Sequence, residues 1–168
     1  MQTTIQVHDI IDPILWDWRE QKPDTPTEAL GIVLRIQVLE KLLAEKLNTA
    51  LSVYDIEWWE YDVLATLRRQ GNPYVLSASE ILKDSILSPG ALTNRINRLL
   101  KKGLVTRAED PVDRRKVMIC LTESGIRLVD EATRLRFECA LDAVRDLTPQ
   151  QASKFDALLK RLVKSNGG

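Results

Sequence analysis

The sequence predicts a mainly α-helical fold with a small β-hairpin wing: a winged helix-turn-helix flanked by N- and C-terminal helices that form a dimerisation region. Three observations carry this expectation. Two helix signals stand back to back between Ser77 and Gly103. Two short β-prone runs follow, either side of a loop rich in Asp and Arg. Capped, apolar-striped segments, longer than so small a head needs, lie before and after.

The second helix of the pair is the centre. Ser88 suits an N-cap, Pro89 the first helical position and Gly103 a left-handed C-terminal residue. Leu92, Ile96, Leu99 and Leu100 fall on one stripe. Gly90, Thr93, Asn94, Asn97, Arg98 and Lys101 cover the opposite face. Small polar groups and cations are the chemistry that reads base edges and phosphates in a major groove. The same pattern also describes a solvated helix surface, so the surroundings decide between the two.

Upstream, Ser77 and Glu80 have capping-box spacing before Ile81 and Leu82, which predicts a short helix from Ala78 to about Asp84. A tight turn then leads to Ser88, the helix-turn-helix arrangement. Downstream, Leu104 to Arg107 and Lys116 to Leu121 read as two strands joined by a loop with Pro111. Arg114, Arg115 and Lys116 tip that hairpin, where cations can follow a minor groove, and Asp113 is placed to orient one of them. Between Arg95 and Lys116 stand eight cations against three acids, although the 24 Lys and Arg of the whole chain balance its 24 Asp and Glu. Charge gathered in one region is the footprint of a nucleic-acid-binding surface.

Around this head the chain reads as helices. Ile10, Ile11, Ile14, Leu15 and Trp18 predict one from about His8 to Glu20, ended before Pro23. Its Trp16 and Trp18 are expected to pack, one of them at a subunit contact. Thr25-Pro26-Thr27-Glu28 reads as a capping box opening a helix to about Leu51, ~35 Å long at 1.5 Å per residue. After a break at Ser52 to Asp55, a helix starts at Asp55 or Glu57 and closes at Gly71. Val63, Leu64 and Leu67 share its core side, whereas Trp58, Asp62, Ala65 and Arg69 form a second strip, as on a helix packed on two sides. Thr122 caps a helix from Glu123 to about Arg145, and Thr148 to Gln151 caps the last one, lined by Phe155, Leu158, Leu159 and Leu162.

At 168 residues, with 44% hydrophobic and 29% charged residues, the chain reads as one soluble domain. Within it, residues 8–51 and 123–164 are mainly dimerisation helices and 55–121 form the DNA-binding lobe. No apolar run approaches ~18 residues and no secretory leader stands out, so a cytoplasmic protein without membrane contact is expected. Cys120 and Cys139 lack metal-ligand spacing and read as small, partly buried apolar residues. The one His lies near a terminus, and neither a nucleotide loop nor a nucleophile elbow is present. No catalytic residue, metal site or cofactor is expected, and an enzyme is excluded.

The segments LSPGALTNRINRLLKKGLVTR, DPVDRRKVMICLT and ESG resemble the winged helix of the MarR family of bacterial transcription regulators. The resemblance spans Ile32 to Leu162. Within the family, the chain is similar to the branch typified by PecS and the urate-responsive regulators. Members of that branch add an N-terminal helix with a Trp, and share an Asp, an Arg seven residues on and an Arg in the reading helix. Trp16, Asp62, Arg69 and Arg95 match, as does PYVLS after Gly71-Asn72. The resemblance implies that these four residues form a ligand site. Its chemistry suits a planar anion such as urate: Arg69 supplies charge-assisted bonds, Trp16 a stacking face and Asp62 a charge that feels the ligand. Arg95 borders the apolar stripe, so its guanidinium can turn inward and act as a lever.

The leading expectation is a homodimeric repressor that binds double-stranded DNA at a pseudo-palindromic operator and is released by a small anionic, urate-like ligand. Each chain then presents one reading helix, the pair ~34 Å apart. The alternatives are a regulator answering a phenolic acid or, through Cys120 or Cys139, an oxidant, and a winged helix that only meets an acidic protein.

Overall fold

The computed structural model describes residues 8–84, 89–110 and 116–167, with backbone alone over 89–91. The chain divides into two compact units, Met1–Glu45 and Lys46–Gly168.

In the N-terminal unit, α1 is Asp12–Gln21 and begins later than the expected His8. The Asp9 carboxylate accepts from the Ile11 N–H (2.9 Å), and the Asp12 carboxylate accepts from the Asp9 N–H (3.0 Å). Short acidic side chains that bond their own backbone compete with a helical turn, and here they win. Arg35 of α2 (Thr27–Leu51) fastens the turn, Nε 2.7 Å from Asp9 and Nη2 2.6 Å from Asp12. The predicted capping box at Thr25 does not form. The Thr25 N–H donates to the Lys22 carbonyl, and Glu28 takes a charge-assisted bond from Arg19 at 3.0 Å instead. Of the apolar pattern on α1 only Ile11 and Leu15 are buried. Leu15 lies so close to Gly31 that a Cβ there would meet its methyl at 2.8 Å. Trp16 and Trp18, expected to pack, are exposed in the chain, as are Ile32, Val33, Ile36 and Leu39 of α2.

The second unit opens with the end of α2 and a 3₁₀ turn over Ser52–Tyr54, after which Asp55 takes a left-handed conformation. Helix α3 (Trp58–Arg69) starts at a capping box made by Glu57 and Glu60. Strand β1 (Val75–Ser77) leads into α4 (Ala78–Asp84), where the expected Ser77–Glu80 capping box forms: the Ser77 N–H donates to Glu80 (2.7 Å) and the Glu80 N–H to Ser77 (3.3 Å). Helix α5 (Pro89–Lys101) ends as expected at Gly103, φ +66. The Leu104 N–H returns to the Leu99 carbonyl in a Schellman-type closure, which keeps Leu104 out of the strand that follows.

That strand, β2 (Val105–Glu109), pairs antiparallel with β3 (Val117–Leu121). The sheet has three strands, not two: β1 adds to the far edge of β3 with Leu76 opposite Ile119, giving the order β1-β3-β2. Helix α6 (Glu123–Ala143) is capped by Thr122, whose Oγ1 accepts from the Gly125 N–H at 3.0 Å. Gly125 is required there, because a Cβ would lie 2.1 Å from the Leu104 carbonyl oxygen. Helix α6 stops two residues short of Arg145, which pairs with Asp142 at 2.9 Å. Helix α7 (Pro149–Ser165) begins at the predicted Thr148–Gln151 capping box. The core joins Val63, Leu64 and Leu67 of α3 to Leu92, Ile96 and Leu99 of α5, with Ile119 and Val129. Helix α5 therefore packs against α3.

Candidate nucleic-acid interface and sensor site

Helix α5 is strongly two-faced. Leu92, Ile96 and Leu99 are buried, whereas Thr93, Asn94 and Lys101 are exposed and Asn97 is half-buried. Lys116, just before β3, is exposed. Arg107 of β2 donates from Nη2 to Asn97 Oδ1 at 2.7 Å, so the wing strand is bonded to the polar strip of α5. Pro89 and Gly90 open α5, known by backbone only. Ser88, Asp113, Arg114 and Arg115, also expected at this interface, lie outside the described residues.

Arg98 departs from expectation. It lies on α5 with the interface residues, yet its guanidinium turns back to α3. Nη2 donates to Glu57 at 3.2 Å, and Nε lies 3.3 Å from Glu60 Oε1, an ion pair without hydrogen-bond alignment. The cation also stacks on Trp59, 4.7 Å from the ring centre. Glu60 is fully buried and receives Lys102 Nζ at 3.1 Å. A buried carboxylate stripped of such partners costs about 3–5 kcal/mol, which is why two cations are spent on it. Sequence reading missed Glu57, Trp59, Glu60 and Lys102. The capping-box spacing of Glu57 and Glu60 was the one signal that could have drawn notice.

The expected sensor residues fall in both units. Trp16 belongs to the N-terminal unit, where its ring meets His8 edge-on, centroids 5.8 Å apart. Asp62, Arg69 and Arg95 belong to the second. Asp62 is half-buried on α3. Arg69 donates to the Asp84 carbonyl at 2.7 Å and to Thr66 at 3.2 Å, so it grips the end of α4. Arg95, at the border of the apolar stripe, lies 5.0 Å over the Trp59 ring. Its Nη1 is buried without a hydrogen-bond partner among the described residues.

Cys120 sits in the central strand, and burial pushes its thiol upward, which lowers the thiolate fraction an oxidant would attack. Among the described residues no group of three His, Cys, Asp or Glu is placed to hold a metal, and no helix is long and apolar enough to cross a membrane.

The MarR family model matches residues 56–117, from the start of α3 to β3. The HTH-type transcriptional regulator PecS of Dickeya dadantii is 30% identical over 164 residues, covering 98% of this chain and 96% of PecS. The chain belongs to the MarR family. The multiple antibiotic resistance protein MarR of Salmonella typhimurium is 30% identical over 118 residues, 70% of this chain and 80% of that protein. A cysteine-to-serine mutant of Escherichia coli MarR, solved in complex with operator DNA, superposes with a TM-score of 0.71 at 26% identity, covering 87% of this chain and 97% of that one. This MarR-family chain is accordingly a DNA-binding transcriptional regulator with a winged helix-turn-helix fold, and not an enzyme.

Proposed function

We propose that the chain is a homodimeric repressor, bound to a pseudo-palindromic operator and released by a small anionic aromatic ligand of the urate type. Arg95 carries the ligand half of this reading. A guanidinium at the border of the reading helix's apolar stripe, resting on an indole with one buried nitrogen unsatisfied, is a receptor for an anion. An anion that engages Arg95 acts directly on α5, and Arg69 offers a second route because it holds the end of α4, the other half of the helix-turn-helix. Asp62, on α3 with Arg69, is the charge an anion repels. Trp16 is included on the strength of the resemblance alone.

On the DNA side the reading assigns Thr93, Asn94, Asn97 and Lys101, with Pro89 and Gly90 at the start of α5 and Ser88 before them in sequence, to the major groove. Lys116, Arg114 and Arg115 are assigned to the minor groove, with Asp113 orienting them. The homodimer is supported by apolar side chains too numerous for a lone chain to leave in water: Ile32, Val33 and Leu42 on α2, Leu141 on α6, Leu158 and Leu162 on α7.

Calorimetry with urate and with simple phenolic acids tests the ligand, on the wild type and on Arg95→Ala. Saturable binding of urate that Arg95→Ala abolishes is the expected result. Heat from a phenolic acid alone would move the reading to another ligand, and heat from neither would remove the sensor.

A further inference from the structure

We infer that Glu60 and Trp59 are positioning residues for DNA binding, which hold the reading helix against α3 by engaging Arg98 and Lys102 and so withdraw those two cations from the phosphate backbone. The inference needs only that the chain binds DNA, and no ligand.

Glu60 has no exposed surface, and each of its oxygens faces a cation. Oε2 accepts from the Glu57 N–H at 3.0 Å and from Lys102 at 3.1 Å, and Oε1 faces Arg98. Lys102 also donates to the Asp55 carbonyl, ahead of α3. The Glu57 side chain divides in the same way: Oε1 accepts from Arg98 and Oε2 from the Trp59 indole N–H at 2.6 Å. That bond fixes the ring plane on which Arg98 and Arg95 both stack. One turn of α3 therefore grips α5 through two carboxylates and an indole. Lys102 is about three-quarters covered, and Arg98 is half covered with its charged head already paired.

The consequence is a charge count. Arg95, Arg98, Lys101 and Lys102 make the end of the reading helix look like a four-cation contact in sequence. Three of the four are turned to α3, which leaves Lys101. A phosphate contact and a positioning contact differ in one observable. Each phosphate neutralised contributes about 0.9 to the slope of log affinity against log salt, whereas a positioning residue changes affinity at every salt concentration without changing the slope.

The test is anisotropy of a labelled mixed-sequence DNA duplex titrated with protein over a range of salt. Non-specific binding suffices, because the slope reads backbone contacts in any sequence. Lys101→Gln is expected to flatten the slope by about 0.9 per chain. Arg98→Gln is expected to weaken binding roughly tenfold with the slope of the wild type, as for a site left too loose. Glu60→Gln, which removes the charge that Arg98 and Lys102 face, is expected to weaken binding without flattening the slope. Far-ultraviolet dichroism checks that each variant is folded. If Glu60→Gln fails that check, Trp59→Phe replaces it; this keeps an aromatic face and loses the indole N–H bond to Glu57, and the expected result is weaker binding without a flatter slope. An Arg98→Gln slope flattened as far as that of Lys101→Gln would overturn the inference, as would Arg98→Gln binding with wild-type affinity.

Discussion

Arg107 Nη2 donates to Asn97 Oδ1 across 2.7 Å, joining the wing strand β2 to the reading helix α5. A guanidinium has no acceptor, so the atom facing it must be the amide oxygen, and the Asn97 NH2 is turned elsewhere. The pair offers mainly donors to whatever approaches the strip. Guanine O6 and N7 suit donors, whereas the paired contact of Asn to adenine needs its oxygen as well. Selection of duplexes from a random pool should therefore enrich guanine at symmetric positions with the wild type and lose that preference with Arg107→Leu, a discrimination of about 1–3 kcal/mol per base. An unchanged selected sequence would separate Arg107 from readout.

The apolar residues on α6 and α7 predict a dimer that one charge can break. Leu158→Glu or Leu141→Glu should sediment as a monomer at concentrations where the wild type is a dimer, and should lose operator affinity. A wild type that sediments as a monomer would contradict the assembly.

Gly125 predicts a local loss of stability. Its Cβ would sit 2.1 Å from the Leu104 carbonyl oxygen, and neither backbone can yield without moving α6 from the sheet. Gly125→Ala should lower the unfolding free energy by about 1–3 kcal/mol, the usual cost of overpacking. Chemical denaturation with an unchanged midpoint would show that the approach is looser.

Acid should weaken the start of α4. The Ser77 hydroxyl and then the Ser77 N–H hold the Glu80 carboxyl below its ordinary range. A carboxyl depressed by folding adds stability above its unfolded pKa, about 4.3, and that stability is lost as pH falls through the folded value. Ser77→Ala should cost about 1 kcal/mol at neutral pH, with the gap in Tm to the wild type closing below about pH 4. A gap of constant size would mean the cap acts without charge.

Local chemistry made most of the fold legible. The caps at Ser77, Thr122 and Thr148 and the stop at Gly103 each depend on neighbours a few residues away, and each forms as read. Strand β1 was not legible, because its three residues become a strand only by pairing with β3, far along the chain. The start of α1 was misread because Asp9 and Asp12 bond their own backbone, held there by Arg35 of another helix. Arg98 shows the limit at the site itself. Helical spacing places it among the interface residues of α5, but Glu57, Glu60 and Trp59 decide where its charge goes.

The most direct test of the central claim is anisotropy of a labelled duplex from upstream of the chain's own gene, held by the protein and titrated with urate. The wild type should release the duplex as urate rises, and Arg95→Ala should bind the duplex and hold it throughout. Release from both alike, or from neither, would contradict the account.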